Sequence, residues 1–156
     1  MILDLISKTW KVLPKPLRTF IARRTQVKFT ASVTGIITND RGEVLLLDHF
    51  IRPNSGWGPP GGFIERNEQP EAALRREIKE ETALDIADVR LVRSRTLKRH
   101  IEIIFSATAI GEARVMSPEI RSLRWFKIDE MPGEMSLDLQ FVVRKAVDEG
   151  NSEEKL

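Results

Sequence analysis

Cysteine is absent from the 156 residues, which excludes a disulfide framework, a thiolate metal site and a cysteine nucleophile. No apolar run reaches the roughly 18 residues that a membrane-spanning helix requires. Asp4, Lys8 and Lys11 interrupt the N-terminal segment, so it does not have the apolar region of a secretory signal. We therefore expect an intracellular, cytoplasmic protein.

The composition, 41% hydrophobic and 31% charged, is typical of a globular chain, and the length favours one domain with its own core. The formal net charge is only +2, but positive charge is concentrated near the N-terminus. Asp4 is the only acidic residue there, among Lys8, Lys11, Lys15, Arg18, Arg23, Arg24 and Lys28. Such a patch is either a solvated face or a surface that attracts phosphate, anionic lipid or nucleic acid.

Residues 1–25 are predicted to form an amphipathic, basic helical extension. Apolar residues at helical spacing indicate a helix over residues 2–13, which Pro14 ends, and Pro16 can open a second short helix. We expect this segment to pack on its own domain. Peripheral membrane contact through residues 1–24, or a dimer contact, is the alternative.

Alternation from Phe29 predicts a strand, and the turn at residues 39–42 returns the chain as a hairpin partner over 43–47. A helix is predicted over residues 70–82, opened by Pro70. Further strands are expected at residues 89–92, 101–109 and 123–126, and a last helix at 137–147 that ends by Gly150. This order favours one mixed sheet covered by helices. The tail, 151–156, is expected to be mobile.

Three carboxylates lie on one face of the predicted helix 70–82. Glu77, Glu80 and Glu81 are spaced i, i+3 and i+4, so their side chains are neighbours on the helix surface. Oxygen ligands and negative charge favour a hard divalent cation such as Mg²⁺ or Mn²⁺. By itself this spacing is more often that of a solvated acidic face, which Arg75, Arg76 and Lys79 would neutralise here.

The surrounding pattern resembles the box that defines the Nudix family, G-x5-E-x7-R-E-U-x-E-E-x-G-U, where U is a bulky aliphatic residue. Gly62, Glu68 and the run from Arg76 to Leu84 match it, and Ala83 alone replaces the usual glycine. The segment 57–65, the hairpin before it, and Arg124-Trp125-Phe126 followed by 129–132 are also similar to family features.

This resemblance implies an α/β/α sandwich with a central mixed β-sheet, a domain over residues 26–150, and an N-terminal helical leader. It implies a pyrophosphohydrolase in which Mg²⁺ or Mn²⁺, with more than one ion in the active site, is held by Glu77, Glu80, Glu81 and the Gly61 carbonyl. Bound cations neutralise a diphosphate and favour attack by water. Glu68 and Arg76 would form an ion pair that orients the loop and the helix.

The general base is expected to be a carboxylate. Glu77 and Glu81 are candidates within the box, and outside it we favour Glu119, which precedes the strand that contains Trp125. A surface loop acid is the alternative interpretation of Glu119.

A nucleoside triphosphate or a nucleoside diphosphate derivative is the expected substrate. Tyrosine is absent and no proline lies between Pro70 and Pro118, so the family signatures of dinucleoside polyphosphate and ADP-ribose hydrolases are missing; the NADH pyrophosphatase motif is absent too. Substrate contacts are expected from Arg52, Trp57, Arg95 and Arg99.

The alternative function is a sensor or interaction module with little turnover. No specific nucleic acid partner is predicted, and the resemblance is compatible with a homodimer.

Overall fold

The computed structural model describes residues 10–51 and 56–153. The predicted helix over residues 2–13 therefore lies largely outside the described ranges, although residues 10–12 are helical. Helix α1 (Lys15–Thr25) begins with proline in its first turn and buries none of its residues. Arg18, Ile21 and Ala22 of α1 are half-buried, and the expected packing of the leader on its own domain stays a prediction.

Seven strands form one mixed sheet. Their bounds are β1 (Thr30–Thr38), β2 (Val44–His49), β3 (Trp57–Gly58), β4 (Gly61–Phe63), β5 (Asp85–Leu97), β6 (His100–Ile110) and β7 (Ile120–Phe126). Strand β1 runs parallel to β6, while the remaining pairs are antiparallel. The spatial order is β3-β2-β1-β6-β5, with β4 paired to β1 and β7 paired to β2.

The hairpin predicted between β1 and β2 is confirmed, and Asn39 holds its turn. The Asn39 side-chain carbonyl accepts hydrogen bonds from the backbone N–H groups of Arg41 and Glu43, both at 3.0 Å. Gly42 adopts a φ of 71°, the left-handed conformation that glycine tolerates best. Local side-chain bonding and one glycine thus set the turn.

Two helices cover opposite faces of the sheet. Helix α2 (Pro70–Thr82) packs Leu74 and Ile78 against a cluster that includes Val33 and Ile37 of β1. Helix α3 (Leu137–Glu153) packs a second stripe against a cluster that includes Ile36. Alternate residues of a strand point to opposite faces, so β1 contributes to both cores. The mixed sheet between helices confirms the predicted fold class.

Helix α2 approaches β1 most closely at Gly35. A Cβ atom at that position would lie 2.9 Å from Leu74 Cδ1, which is shorter than side chains tolerate. The glycine therefore allows the helix to lie directly on the strand, and this packing fixes the height of α2 above the sheet.

Several predicted boundaries were wrong. Strand β5 covers Asp85–Leu97 and not only residues 89–92, and β7 begins at Ile120. The last helix continues through Gly150 to Glu153, so Gly150 does not end it and residues 151–153 are helical. Glycine inside a helix costs only about 1 kcal/mol, so it is no obligatory stop. Within the described ranges, no helix is long and apolar enough to cross a bilayer.

Candidate active site

Helix α2 presents the three carboxylates at different depths. Pro70 lies in its first turn, and Gln69 makes no side-chain capping bond. Glu81 faces inward with only 9% of its surface exposed, whereas the Glu80 side chain is 60% exposed. The Glu77 side chain lies between them at 16%. The three carboxylates on one helix face thus range from nearly buried to solvent-exposed.

Two consecutive glycines bring strand β4 against these carboxylates. The Gly61 N–H donates to Glu81 Oε2 at 2.9 Å. A Cβ atom on Gly62 would lie 2.4 Å from Glu77 Cδ, so any other residue would collide with that carboxylate. Gly61 itself has a φ of 150°, and a Cβ there would lie 2.2 Å from the Val33 carbonyl oxygen. The Gly-Gly pair therefore lets backbone atoms and carboxylates share a small space.

Arg76 joins the loop after β4 to the acidic face. Its guanidinium donates to both oxygens of Glu68, at 2.9 and 3.0 Å, and to the Phe63 carbonyl at 3.1 Å. It also donates to Glu77 Oε1 at 2.8 Å and to Glu80 Oε2 at 3.3 Å. The Glu68 carboxylate raises the pKa of Arg76 above its ordinary value. The expected ion pair between Glu68 and Arg76 is present, and its orienting role stays a prediction.

The donor set fits a divalent cation chemically. The helix supplies three carboxylates beside two glycines of strand β4 that leave no room for a side chain, and hard cations favour carboxylate oxygens. Across residues 10–51 and 56–153, no three acidic or histidine side chains already converge on one point. Arg76 holds an oxygen of Glu77 and one of Glu80. Ion binding would require these two side chains to turn, and the exposed position of Glu80 allows it to do so.

The ion pair of Glu68 predicts a pH dependence of stability. The hydrogen bond from Arg76, followed by one from the Glu65 N–H at 2.9 Å, lowers the pKa of Glu68 from 4.5 to about 2. The folded state therefore binds this proton less readily than the unfolded state. The stabilisation is complete above pH 4.5 and is lost as the pH falls toward 2.

Urea unfolding of the wild type and of Glu68→Gln from pH 7 down to 2 tests this expectation. The difference in unfolding free energy between the two proteins should shrink as the pH falls through this window. A difference that stays constant down to pH 2 would show that the carboxylate charge does not stabilise the fold.

Ala83, at the position where the box usually has glycine, ends α2 in the left-handed conformation, with a φ of 62° and a ψ of 0°. A Cβ atom in this conformation costs about 1 kcal/mol. Ala83→Gly should therefore raise the unfolding free energy by about 1 kcal/mol, less the greater chain entropy of glycine. Thermal or urea unfolding measures the change, and Ala87→Gly in β5 is a control that should destabilise.

The loop that carries Glu119 contacts the end of α2. The N–H of Arg114 donates to the Thr82 carbonyl at 2.9 Å, and that of Met116 donates to the Glu81 carbonyl at 3.1 Å. Glu119 itself is exposed, and its carbonyl accepts from the Phe50 N–H at 3.0 Å. The backbone thus ties this loop to the helix turn that contains Glu81.

The four residues expected to contact substrate have different surroundings. Trp57 is half-buried and packs edge-to-face on Phe126, with ring centroids 5.2 Å apart. Arg95 is 17% exposed and pairs with Glu102 and Asp138, so a phosphate would have to displace a carboxylate. Arg99 lies in the exposed turn between β5 and β6, and Arg52 lies outside the described residues.

The sequence interpretation missed a row of polar side chains shared by β1 and β6. Thr34 donates to Glu102 at 3.0 Å, and the His100 ring bonds Thr30 at 2.8 Å and Ser32 at 2.9 Å. The sequence does show the polar residues of β1, which alternate with its apolar residues. Their partners depend on a parallel pairing across the sheet, which periodicity does not specify.

Asp48 and Arg121 form a second polar contact that the sequence interpretation missed. Asp48 is buried at the end of β2, and Arg121 Nη1 lies 3.2 Å from its Oδ2. The same guanidinium lies 4.8 Å from the centre of the exposed Phe50 ring. Arg121 of strand β7 and Phe50, which follows β2, thus place a cation and an aromatic ring next to the loop of Glu119.

Comparison with known proteins identifies relatives over most of the chain. A family model described as "NUDIX domain" matches residues 28–147. The chain is 30% identical to "ADP-ribose pyrophosphatase" of Methanocaldococcus jannaschii in an alignment of 120 positions that covers 72% of this chain and 70% of that protein. It is 30% identical to "NAD-capped RNA hydrolase NudC" of Pseudomonas putida strain W619, with 70% of this chain matching only 40% of that protein.

A crystal structure of the MutT NUDIX hydrolase from Burkholderia pseudomallei has a similar fold. The TM-score is 0.67 at 25% identity, and the match covers 75% of this chain and 97% of that one.

Proposed function

Because the chain belongs to the NUDIX domain family of hydrolases, we propose that it cleaves a diphosphate linkage in a nucleotide by attack of water on phosphorus. The substrate would be a nucleoside triphosphate or a nucleoside diphosphate derivative. The observation that best supports this is the contact of Gly61 and Gly62 in strand β4 with Glu81 and Glu77. It gathers carboxylates beside a strand without side chains, where cations that neutralise a diphosphate could be held.

Glu77, Glu80 and Glu81 are the proposed ligands of Mg²⁺ or Mn²⁺, with the Gly61 carbonyl as a further oxygen and more than one ion in the site. When bound, the cation supplies charge neutralisation for the diphosphate and favours deprotonation of water. Arg76 holds Glu77 and Glu80 on the same helix face as Glu81 before ions bind, and both side chains would turn from it toward the ion. The Gly61 N–H keeps the Glu81 carboxylate oriented. Fixed orientation lowers the reorganisation needed in the transition state.

Glu119 is the proposed general base outside α2, with Glu77 and Glu81 as the candidates within it. The backbone bonds from Arg114 and Met116 to the end of α2 support Glu119, since they hold its loop beside the helix. If Glu119 removes the proton, Glu119→Gln should lower kcat and abolish the acid limb of its pH profile. Glu112→Gln in the same loop is the matched control and should keep that limb.

A substrate panel tests the proposed reaction. Nucleoside triphosphates, nucleoside diphosphate sugars, ADP-ribose, NAD and dinucleoside polyphosphates are incubated with the full chain and Mg²⁺ or Mn²⁺. ADP-ribose and NAD are included because one relative is named "ADP-ribose pyrophosphatase" and another "NAD-capped RNA hydrolase NudC". Together with the dinucleoside polyphosphates, they also test the expectation that a chain without the corresponding family signatures does not hydrolyse them. We expect metal-dependent release of a nucleotide from at least one compound.

The result against this proposal is equally clear. Tight binding of a nucleotide without turnover of any compound, at every metal concentration tried, would identify a sensor or interaction module. The box carboxylates would then serve ligand binding alone.

A further inference from the structure

The segment from residue 10 to residue 29 exposes apolar side chains. Trp10, Val12, Leu17, Phe20, Val27 and Phe29 are exposed. Every residue of α1 is described and none of them is buried, whereas α2 and α3 both bury an apolar stripe against the sheet. Exposed apolar groups that lie together on a small protein mark an interaction surface.

The charge of this segment selects an anionic partner. No acidic residue occurs between Trp10 and Asn39, while Lys11, Lys15, Arg18, Arg23, Arg24 and Lys28 are basic. Some of these groups meet in one place. Arg23, Arg24 and Lys28 line a hollow of about 430 Å³ together with Phe20 and Val27. The Arg24 guanidinium lies 5.6 Å from the centre of the Phe20 ring. Cations and apolar groups therefore form a single surface.

We propose that residues 10–29, the leader surface, bind the interface of an anionic lipid bilayer. Basic side chains gain free energy from anionic headgroups, and apolar side chains between them gain it by entering the headgroup and acyl boundary. A nucleic acid would use the positive charge and could stack on Phe20. A nucleic acid has no apolar region that would cover Val12, Leu17 or Val27. Its binding would therefore not account for the exposure of these side chains.

Co-sedimentation of the full chain with vesicles tests the charge component. We expect binding to vesicles that contain phosphatidylglycerol and none to pure phosphatidylcholine. Arg23→Gln with Arg24→Gln should weaken binding by roughly thirtyfold, from the attraction of two charges near the membrane. Arg41→Gln with Lys127→Gln removes the same charge from exposed positions at the opposite end of β1 and should leave binding unchanged. Equal weakening by both pairs would overturn the proposal, because net charge alone would then explain binding.

A second pair of variants tests the apolar component. Phe20 and Phe141 are both exposed helix residues, at 57% and 61%. Phe20→Ser should weaken binding by about tenfold and Phe141→Ser should not change it. Thermal unfolding of each variant serves as the fold control and does not depend on enzymatic activity. Equal binding to neutral and anionic vesicles, or binding to an RNA oligonucleotide without binding to vesicles, would overturn the proposal.

Discussion

Replacing Glu81 with glutamine is expected to lower kcat/KM by about a thousandfold, or about 4 kcal/mol of transition-state stabilisation. The Glu81 carboxylate is 9% exposed and accepts the Gly61 N–H. Glutamine has the same shape, and its amide oxygen can accept the same hydrogen bond. The variant should therefore stay folded while it loses the negative charge that a divalent cation requires. Initial rates on the best substrate of the panel, with saturating Mg²⁺, measure the effect.

Glu71→Gln provides the matched control for this substitution. Glu71 lies in the first turn of the same helix, and its exposed side chain pairs with Arg75 at 2.8 Å. Its loss should change kcat/KM by less than about twofold, since exposed pairs contribute little. Near-full activity of Glu81→Gln with Mg²⁺ present would contradict the assignment of Glu81. A loss of activity in both variants would show that the helix charge matters only in a general way.

The box helix was predictable because its local signals agree. Pro70 suits a first helical turn, and the apolar positions recur at helical spacing, so sequence and structure give the same bounds, Pro70–Thr82. The depth of each carboxylate was not predictable. It depends on Gly35 letting the helix lie on β1 and on Gly62 leaving space for Glu77, and both are contacts between distant segments.

Strands defined by their partners were harder to predict. Strand β5 pairs with β6 along its whole length, but register shifts between Ala87 and Arg90 and between Leu91 and Arg93 interrupt its alternation. A periodicity argument therefore detected only its centre. Strands β3 and β4 are two and three residues long and rich in glycine, so only their pairing identifies them.

The partners of charged side chains on the sheet are a further feature that the sequence did not predict. Arg95 was expected to bind a phosphate of the substrate, but the structure places it between Glu102 and Asp138. Asp138 lies on the far helix α3, and the sequence gives no signal that a side chain of β5 would reach it. A run of basic residues predicts a surface that attracts negative charge, but it does not identify which anionic group binds there.

Replacing Arg76 with lysine is expected to lower the unfolding free energy by about 2 kcal/mol and kcat/KM by about a hundredfold. The planar guanidinium reaches Glu68, Glu77, Glu80 and the Phe63 carbonyl at once. A lysine ammonium keeps the charge but cannot reproduce this fork. The loop after β4 would then separate from α2, and small displacements of the carboxylates cost much of the rate.

Arg75→Lys separates this geometric effect from the general consequences of losing a helix arginine. Arg75 is adjacent and half exposed, and it pairs with Glu71 and the Ile86 carbonyl, not with the carboxylates of the proposed site. Its replacement should cost less than about 1 kcal/mol and should leave kcat/KM nearly unchanged. Urea unfolding and initial rates on both variants make the comparison. Equal effects on both quantities would mean that Arg76 does not hold the acidic face in place, and that the orientation of Glu77 and Glu80 has another origin.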